Sequence, residues 1–448
     1  MDFDRIAEFV LTNQDVPETA LDMAALLLID TLGVAAGAAN MEAGRIARDH
    51  AFAFHGAGTP EHAATLLFDG RKASIPGAAF AAATQIDNLD AHDGYNPTKG
   101  HIGCAVVPAL LAFAEAQPTL SAKEALTTLA MSYEVAARAG IALHATVSDY
   151  HTSGAWNALG VAALGCHLQG ASNEHLRQAL GIAEYYGPRS QMMREIANPT
   201  MLHDGSGMGA MVGSMAALMA GSGFKGAPAI TAEADDASPY WDDLGTVWTI
   251  ERNYIKPYPI CRWAHASLDA LSGLMQQREF SADDVTSINV NTFAEAAALY
   301  RGIPSTTTQA QYSLAFALSV LLVHGRIGPD QITGAGLSDP DVADVLPRIS
   351  VQEDARHSDR FPEGRWSDLT VTLKDGTSLS SGDVHARGGP EAPMQLTEIE
   401  TKFRTMAAVL PEPRLSKLWA MRERLRQPDA TFVELIQLVG EPVEANNV

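Results

Sequence analysis

From Asp4 to about Gly223, small and branched apolar residues return every three or four positions, and the alternation expected of strands is nearly missing. In residues 18–36, Leu21, Ala24, Ala25, Leu28 and Leu32 fall on one helical face. Stretches 105–115, 122–138, 156–168 and 173–186 have the same spacing, with Asn173 as the expected cap of the last. A segment of this kind can bury its apolar stripes only by packing helix on helix. The texture changes after about residue 223. Ser287-Ile288-Asn289-Val290-Asn291-Thr292 alternates polar and apolar, and Asp375-Gly376 predicts a hairpin turn joining 369–373 to 378–384. Helices are predicted over 308–323 and 339–345, and helical spacing returns through 402–410 and 413–426. The expected fold is therefore mostly α. A large all-helical domain, 1–253 plus 396–448, would carry a smaller inserted α+β lid domain, 254–395.

A chain of 448 residues is long for a single core, which agrees with two domains. Its formal net charge of -22 repels phosphate backbones and anionic lipid, so neither nucleic acid nor membrane is expected as a partner. The N-terminus lacks the basic region and apolar run of a secretion signal. The apolar run 20–39 is interrupted by Asp22, Asp30 and Thr31, so it is not expected to span a bilayer. Cys104, Cys166 and Cys261 are widely spaced and odd in number, which predicts neither a disulfide framework nor a zinc motif, and fits a reducing cytoplasm.

The densest chemistry lies in Asp87-Asn88-Leu89-Asp90-Ala91-His92-Asp93-Gly94-Tyr95-Asn96-Pro97-Thr98-Lys99-Gly100-His101-Ile102-Gly103-Cys104. Its glycines and proline predict a loop between two apolar helices, where a rigid scaffold can present side chains. The bland alternative is a solvated loop in which Asp90 or Asp93 caps a helix. His101 stands just before the next helix start, whose free amides favour an anion. Elsewhere, Gly205-Ser206-Gly207-Met208-Gly209 lacks the preceding strand of a nucleotide-binding loop, so close helix packing is expected there. His203 and Asp204, just before it, either line a site or cap the helix.

This loop, followed by Val107-Pro108-Ala109, resembles the signature of the MmgE/PrpD family. So do Leu28-Ile29-Asp30-Thr31-Leu32-Gly33, Tyr150-His151-Thr152-Ser153-Gly154, Ala179-Leu180-Gly181-Ile182-Ala183, Lys256-Pro257-Tyr258-Pro259-Ile260-Cys261-Arg262, Gln311-Tyr312-Ser313-Leu314 and Ala392-Pro393-Met394, in family order along nearly the whole chain. The resemblance implies a helical domain with an α+β lid, homodimers, and a site between the domains. It also implies chemistry on small di- or tricarboxylates, as dehydratase, decarboxylase or epimerase, with no metal and no organic cofactor. Carried over by position, Asp90, His101, His151 and Lys256 become the catalytic candidates. Asp93, Thr98, Lys99, His203, Tyr258, Cys261 and Arg262 become candidates for substrate binding. One position departs: Thr200 stands where a family lysine is expected.

The shared chemistry is removal of a proton from carbon beside a carboxylate. It needs a base of near-neutral pKa, which suits His101 and His151, and cations that stabilise the developing negative charge, which suits Lys256, Arg262 or Lys99. Loss of water then gives a lyase, the first expectation, while reprotonation on the other face gives an epimerase or racemase. A catalytically silent carboxylate-binding protein is the third alternative, kept open by Thr200.

Overall fold

The computed structural model describes residues 3–12 and 14–443 and divides the chain into two compact units. The first gathers Met1–Met192, Leu202–Asn253 and Met406–Val448; the second gathers Met193–Met201 and Tyr254–Thr405.

In the first unit, helices Glu18–Gly37, Ile75–Asp87, Gly103–Ala114, Ala122–Thr146, Gly154–Leu168, Asn173–Tyr186 and Ser206–Gly221 enclose a core of Ala, Leu, Val and Ile. Ser121 and Glu124 form a reciprocal capping box at the start of Ala122–Thr146, which runs eight residues past the expected end at 138. Asn173–Tyr186 is capped by the Ser172 hydroxyl, which accepts from the His175 amide at 3.2 Å; Asn173 already lies inside the helix. This unit is not all-helical, because Ala63–Thr65 and Lys72–Ser74 pair as a short antiparallel ribbon. These strands of three residues are too brief to leave a periodic signal.

The 20-residue Glu18–Gly37 helix has a mean hydropathy of 1.7 over its best window, so by length and composition it could cross a membrane, contrary to the sequence expectation. In the structure 78% of that window is buried. Asp30 and Thr31, the interruptions that counted against a membrane span, are themselves buried.

Glycines set the closest helix approach in this unit. A Cβ on Gly154 would stand 2.2 Å from the Gly205 carbonyl oxygen, and one on Gly213 would stand 2.4 Å from that of Ala158. The Gly205–Gly209 run therefore serves close packing of Ser206–Gly221 on Gly154–Leu168, as its sequence context implies.

In the second unit a mixed sheet has the order Ile349–Glu353, Val285–Thr292, Trp366–Leu373, Ser378–Ser380, with Val384–His385 also pairing Trp366–Leu373. Val285–Thr292 runs parallel to Ile349–Glu353 and antiparallel to Trp366–Leu373. The Asp375-Gly376 turn forms with Gly376 in the left-handed region, and the Thr377 amide donates to the Asp375 carboxylate at 2.8 Å. The stretch 308–323 breaks into Thr307–Gln311 and Leu314–His324, the second capped by the Ser313 hydroxyl.

Two segments fall in this unit instead of the helical portion. Met193–Met201 joins it, tied by a hydrogen bond from the Tyr312 hydroxyl to Glu195. Helix Leu396–Met406, expected at 402–410 and assigned to the helical domain, lies almost wholly in it. Its first turn is fixed by the Glu398 carboxylate, which accepts from the Gln395 amide and from Arg387.

Removing space where a Cβ has no room should destabilise, and filling space where one has room should not. Gly213→Ala is expected to lower unfolding free energy by about 2 kcal/mol through overpacking. Gly273→Ala, in a helix where a Cβ meets nothing within 4 Å, should raise it by about 0.5 kcal/mol or more. Denaturant midpoints of the two single variants check both signs.

Candidate active site

The loop after Ile75–Asp87 is drawn inward, so its carboxylates and imidazoles are buried. Asp87, Asp90, His92, Asp93, Thr98 and His101 each expose less than a tenth of their surface. Asp90 and Lys99 take left-handed backbone with φ near 54°, the first ahead of a small bridge between Tyr95 and Gly100 and the second inside the turn that the bridge closes. The Thr98 hydroxyl closes that turn by donating to the Tyr95 carbonyl at 3.0 Å. Gly103 opens the next helix where a Cβ would lie 2.1 Å from the Asp93 carboxylate and 2.3 Å from the Tyr133 hydroxyl. Asp90 and Asp93 thus face the interior; neither is the cap that the bland reading assigned.

His101 is held at three places. Its amide donates to the Ser153 hydroxyl at 2.9 Å, and its carbonyl accepts from Asn157 at 3.3 Å. Its Nδ1 lies 2.7 Å from the Asp93 carbonyl. A carbonyl only accepts, so Nδ1 carries the proton and the neutral ring has its lone pair on Nε2. Nε2 stands 3.6 Å from Asp204 Oδ2, and the His92 ring meets the His101 ring edge-on with centroids 4.4 Å apart. Asp204 Oδ1 accepts from Ser153 at 2.7 Å. Asp87 receives the Ser206 amide at 3.1 Å, and burial, with Asp204 nearby as the second cause, drives its carboxyl well above the usual range.

The sequence had no signal strong enough to rank His92, Ser153 and Asp204 as site residues. Ser153 and Asp204 are about fifty positions apart and reach His101 only through the packing of Gly154–Leu168 on Ser206–Gly221. Its neighbour His203, the substrate-binding candidate, is also buried.

His151, just ahead of the Gly154–Leu168 helix, is buried. Its amide donates to His144 Nε2 at 3.3 Å, and it bridges to Gln191. The Tyr150 hydroxyl donates to the Lys99 carbonyl, while Lys99 Nζ sits 4.5 Å from the centre of the Tyr150 ring.

Two triplets, Asp87/His92/Cys104 and Asp90/His92/His101, have donor atoms within 4.8 Å of one another, close enough to hold a metal ion. The Cys104 thiol of the first triplet donates to Ser206, and burial raises it well above its ordinary value.

The second unit holds the other candidates. On composition Lys256 and Arg262 default to solvated surface charges, yet both are buried. Arg262 spends two donors on the carbonyls of Ala386 and Arg387, at 3.0 and 2.7 Å, and lies over the Tyr254 ring; burial lowers it to about 10. Tyr258 donates to Asp269 at 3.3 Å and accepts from Arg387, and burial raises its phenol. The Cys261 amide donates to the Gln311 carbonyl at 3.0 Å. This block is a hydrogen-bonded brace around buried cations.

Family models for the MmgE/PrpD N-terminal and C-terminal domains match residues 4–237 and 258–427. The chain belongs to the MmgE/PrpD family. Among its relatives are cis-aconitate decarboxylase of Homo sapiens, 24% identical over 74% of this chain and 72% of the relative, and that of Mus musculus, 22% identical over 74% and 71%. A mitochondrial 2-methylcitrate dehydratase of Yarrowia lipolytica is 26% identical over 27% of this chain and 25% of the relative. As an MmgE/PrpD protein with these relatives the chain is an enzyme, of lyase or isomerase type.

His144 makes the site's framework sensitive to acid. Burial, then the Lys99 ammonium, push it down to about 4 from an ordinary 6.5. Protonation therefore favours the unfolded chain. The stability is fully present above pH 6.5 and is lost as pH falls toward 4, by up to about 3 kcal/mol. The denaturant midpoint should fall across that window, and His144→Gln should flatten the fall.

Proposed function

We propose that this enzyme is a metal- and cofactor-independent lyase, a dehydratase in the first instance, acting on a small di- or tricarboxylate. The observation that carries this is the His101 imidazole, with Nδ1–H fixed on the Asp93 carbonyl so that Nε2 is the basic nitrogen. The names of the relatives, a decarboxylase of cis-aconitate and a dehydratase of 2-methylcitrate, support the substrate class.

In this reading His101 Nε2 takes the proton from the carbon next to a substrate carboxylate. The C–H electron pair moves toward that carboxylate and then forms the double bond as hydroxide leaves from the neighbouring carbon. His151 gives the departing oxygen its proton, so water is the second product. Lys256 is proposed as the counter-charge of a substrate carboxylate, and the α+β part as a lid. Asp90 and His92 line the base.

His101→Ala and His151→Ala should each lower turnover about a hundredfold or more, as loss of an acid–base group does, whereas Lys256→Ala should act mainly on KM. Incubation with a panel of di- and tricarboxylates in deuterated water identifies the reaction. Release of water with a new alkene supports the lyase. Deuterium uptake with inversion at an unchanged skeleton would replace it with an epimerase, and no change with any substrate would leave a binding protein.

Metal independence has its own test. Activity should survive exhaustive chelation, and stoichiometric metal whose return alone restores activity would reassign the Asp90/His92/His101 cluster.

A further inference from the structure

Asp204 is a carboxylate that reaches His101 from a distant part of the chain. It is 4% exposed and sits on left-handed backbone with φ 45°, a conformation uncommon for a residue other than glycine. Three contacts fix it there: its carbonyl accepts from the Gly154 amide at 2.8 Å, its Oδ1 accepts from the Ser153 hydroxyl at 2.7 Å, and its Oδ2 lies 3.6 Å from His101 Nε2. The same Ser153 hydroxyl accepts from the His101 amide. One serine thus locks the carboxylate and the histidine backbone to each other. At 3.6 Å the carboxylate is too far for a good hydrogen bond to Nε2 but well within the range where an opposite charge favours the protonated ring.

We propose that Asp204 is a positioning residue that strengthens His101 as a base, stabilising the imidazolium formed when Nε2 takes the substrate proton, with Ser153 holding the pair in register. The base role of His101 is taken from the proposed function; the electrostatic coupling is separate from it. Other groups around His101 are placed differently. The Asp93 contact is a backbone carbonyl on Nδ1, and His92 meets the ring edge-on. Asp90 belongs to the same loop, within the 4.8 Å cluster, and Asp87 has its carboxyl raised by burial. Lys99 lies over Tyr150, and His151 is engaged through its amide with His144.

The test is a histidine-ring NMR titration of the full chain without substrate, with the His101 signal assigned by its loss in His101→Gln. Asp204→Asn keeps the shape and removes the charge, and should lower the His101 transition by about one pH unit or more. Ser153→Ala keeps the charge and loosens the lock, and should lower it by less. An unmoved transition in Asp204→Asn overturns the proposal. If that variant fails to fold by circular dichroism, an unmoved transition in folded Ser153→Ala overturns it instead. Where a substrate is turned over, the acidic limb of kcat should shift in the same direction in Asp204→Asn with little change in KM; a purely structural role would lower kcat without moving the limb. Absence of turnover on every carboxylate would count against the proposed reaction and leave the ring titration as it stands.

Discussion

The site depends on how closely Gly154–Leu168 lies against Ser206–Gly221. The start of the first helix and the turn into the second meet backbone to backbone, where the Gly154 amide donates to the Asp204 carbonyl and a Cβ on Gly154 would strike the Gly205 oxygen. That approach sets Ser153 beside Asp204, and Ser153 in turn fixes the His101 amide. A side chain larger than hydrogen at Gly154 or Gly209 would part the helices and separate the three residues together. Side-chain chemistry at His101 is thus governed by packing between helices that carry little polar chemistry themselves.

A second constraint is the inward fold of the 87–104 loop. Loops are normally solvated because their backbone groups need partners. Here the Tyr95–Gly100 bridge, the Thr98 hydroxyl on the Tyr95 carbonyl and the His101 ring on the Asp93 carbonyl supply them within the segment. Burial then makes each charge sensitive to its neighbours, which is why Asp87, Cys104 and Tyr133 all hold their protons more tightly than they would in water.

What the sequence made legible follows the range of each signal. The helices of the first unit and the Asp375-Gly376 hairpin were readable because their patterns are local and repeat over several residues. The 87–104 loop stood out because glycine and proline interrupt two apolar runs. The ribbon 63–74 was too short to read, Ile349–Glu353 presents a half-exposed face without clean alternation, and the Ser172 cap competed with an equally good Asn173. Asp204 was visible but unranked: nothing local distinguishes a carboxylate that caps a helix from one that faces a histidine across a helix contact. Burial of Lys256 and Arg262 was likewise hard to read, and the carbonyls that hold Arg262 lie more than a hundred positions away.

The buried Glu18–Gly37 helix has a consequence for how the molecule is made. Its neighbours include the Glu412–Arg424 helix, Arg426 pairs with Glu18 and with Asp22, and Gly37 is pressed against the Met406 carbonyl. These covering residues are nearly four hundred positions downstream. While the chain emerges from the ribosome, an apolar helix with the length and hydropathy of a membrane span therefore waits uncovered on that face until the C-terminal helices are synthesised. Its shelter in that interval must come from other nascent helices or from a chaperone, and slow translation of the intervening α+β segment would lengthen the exposure.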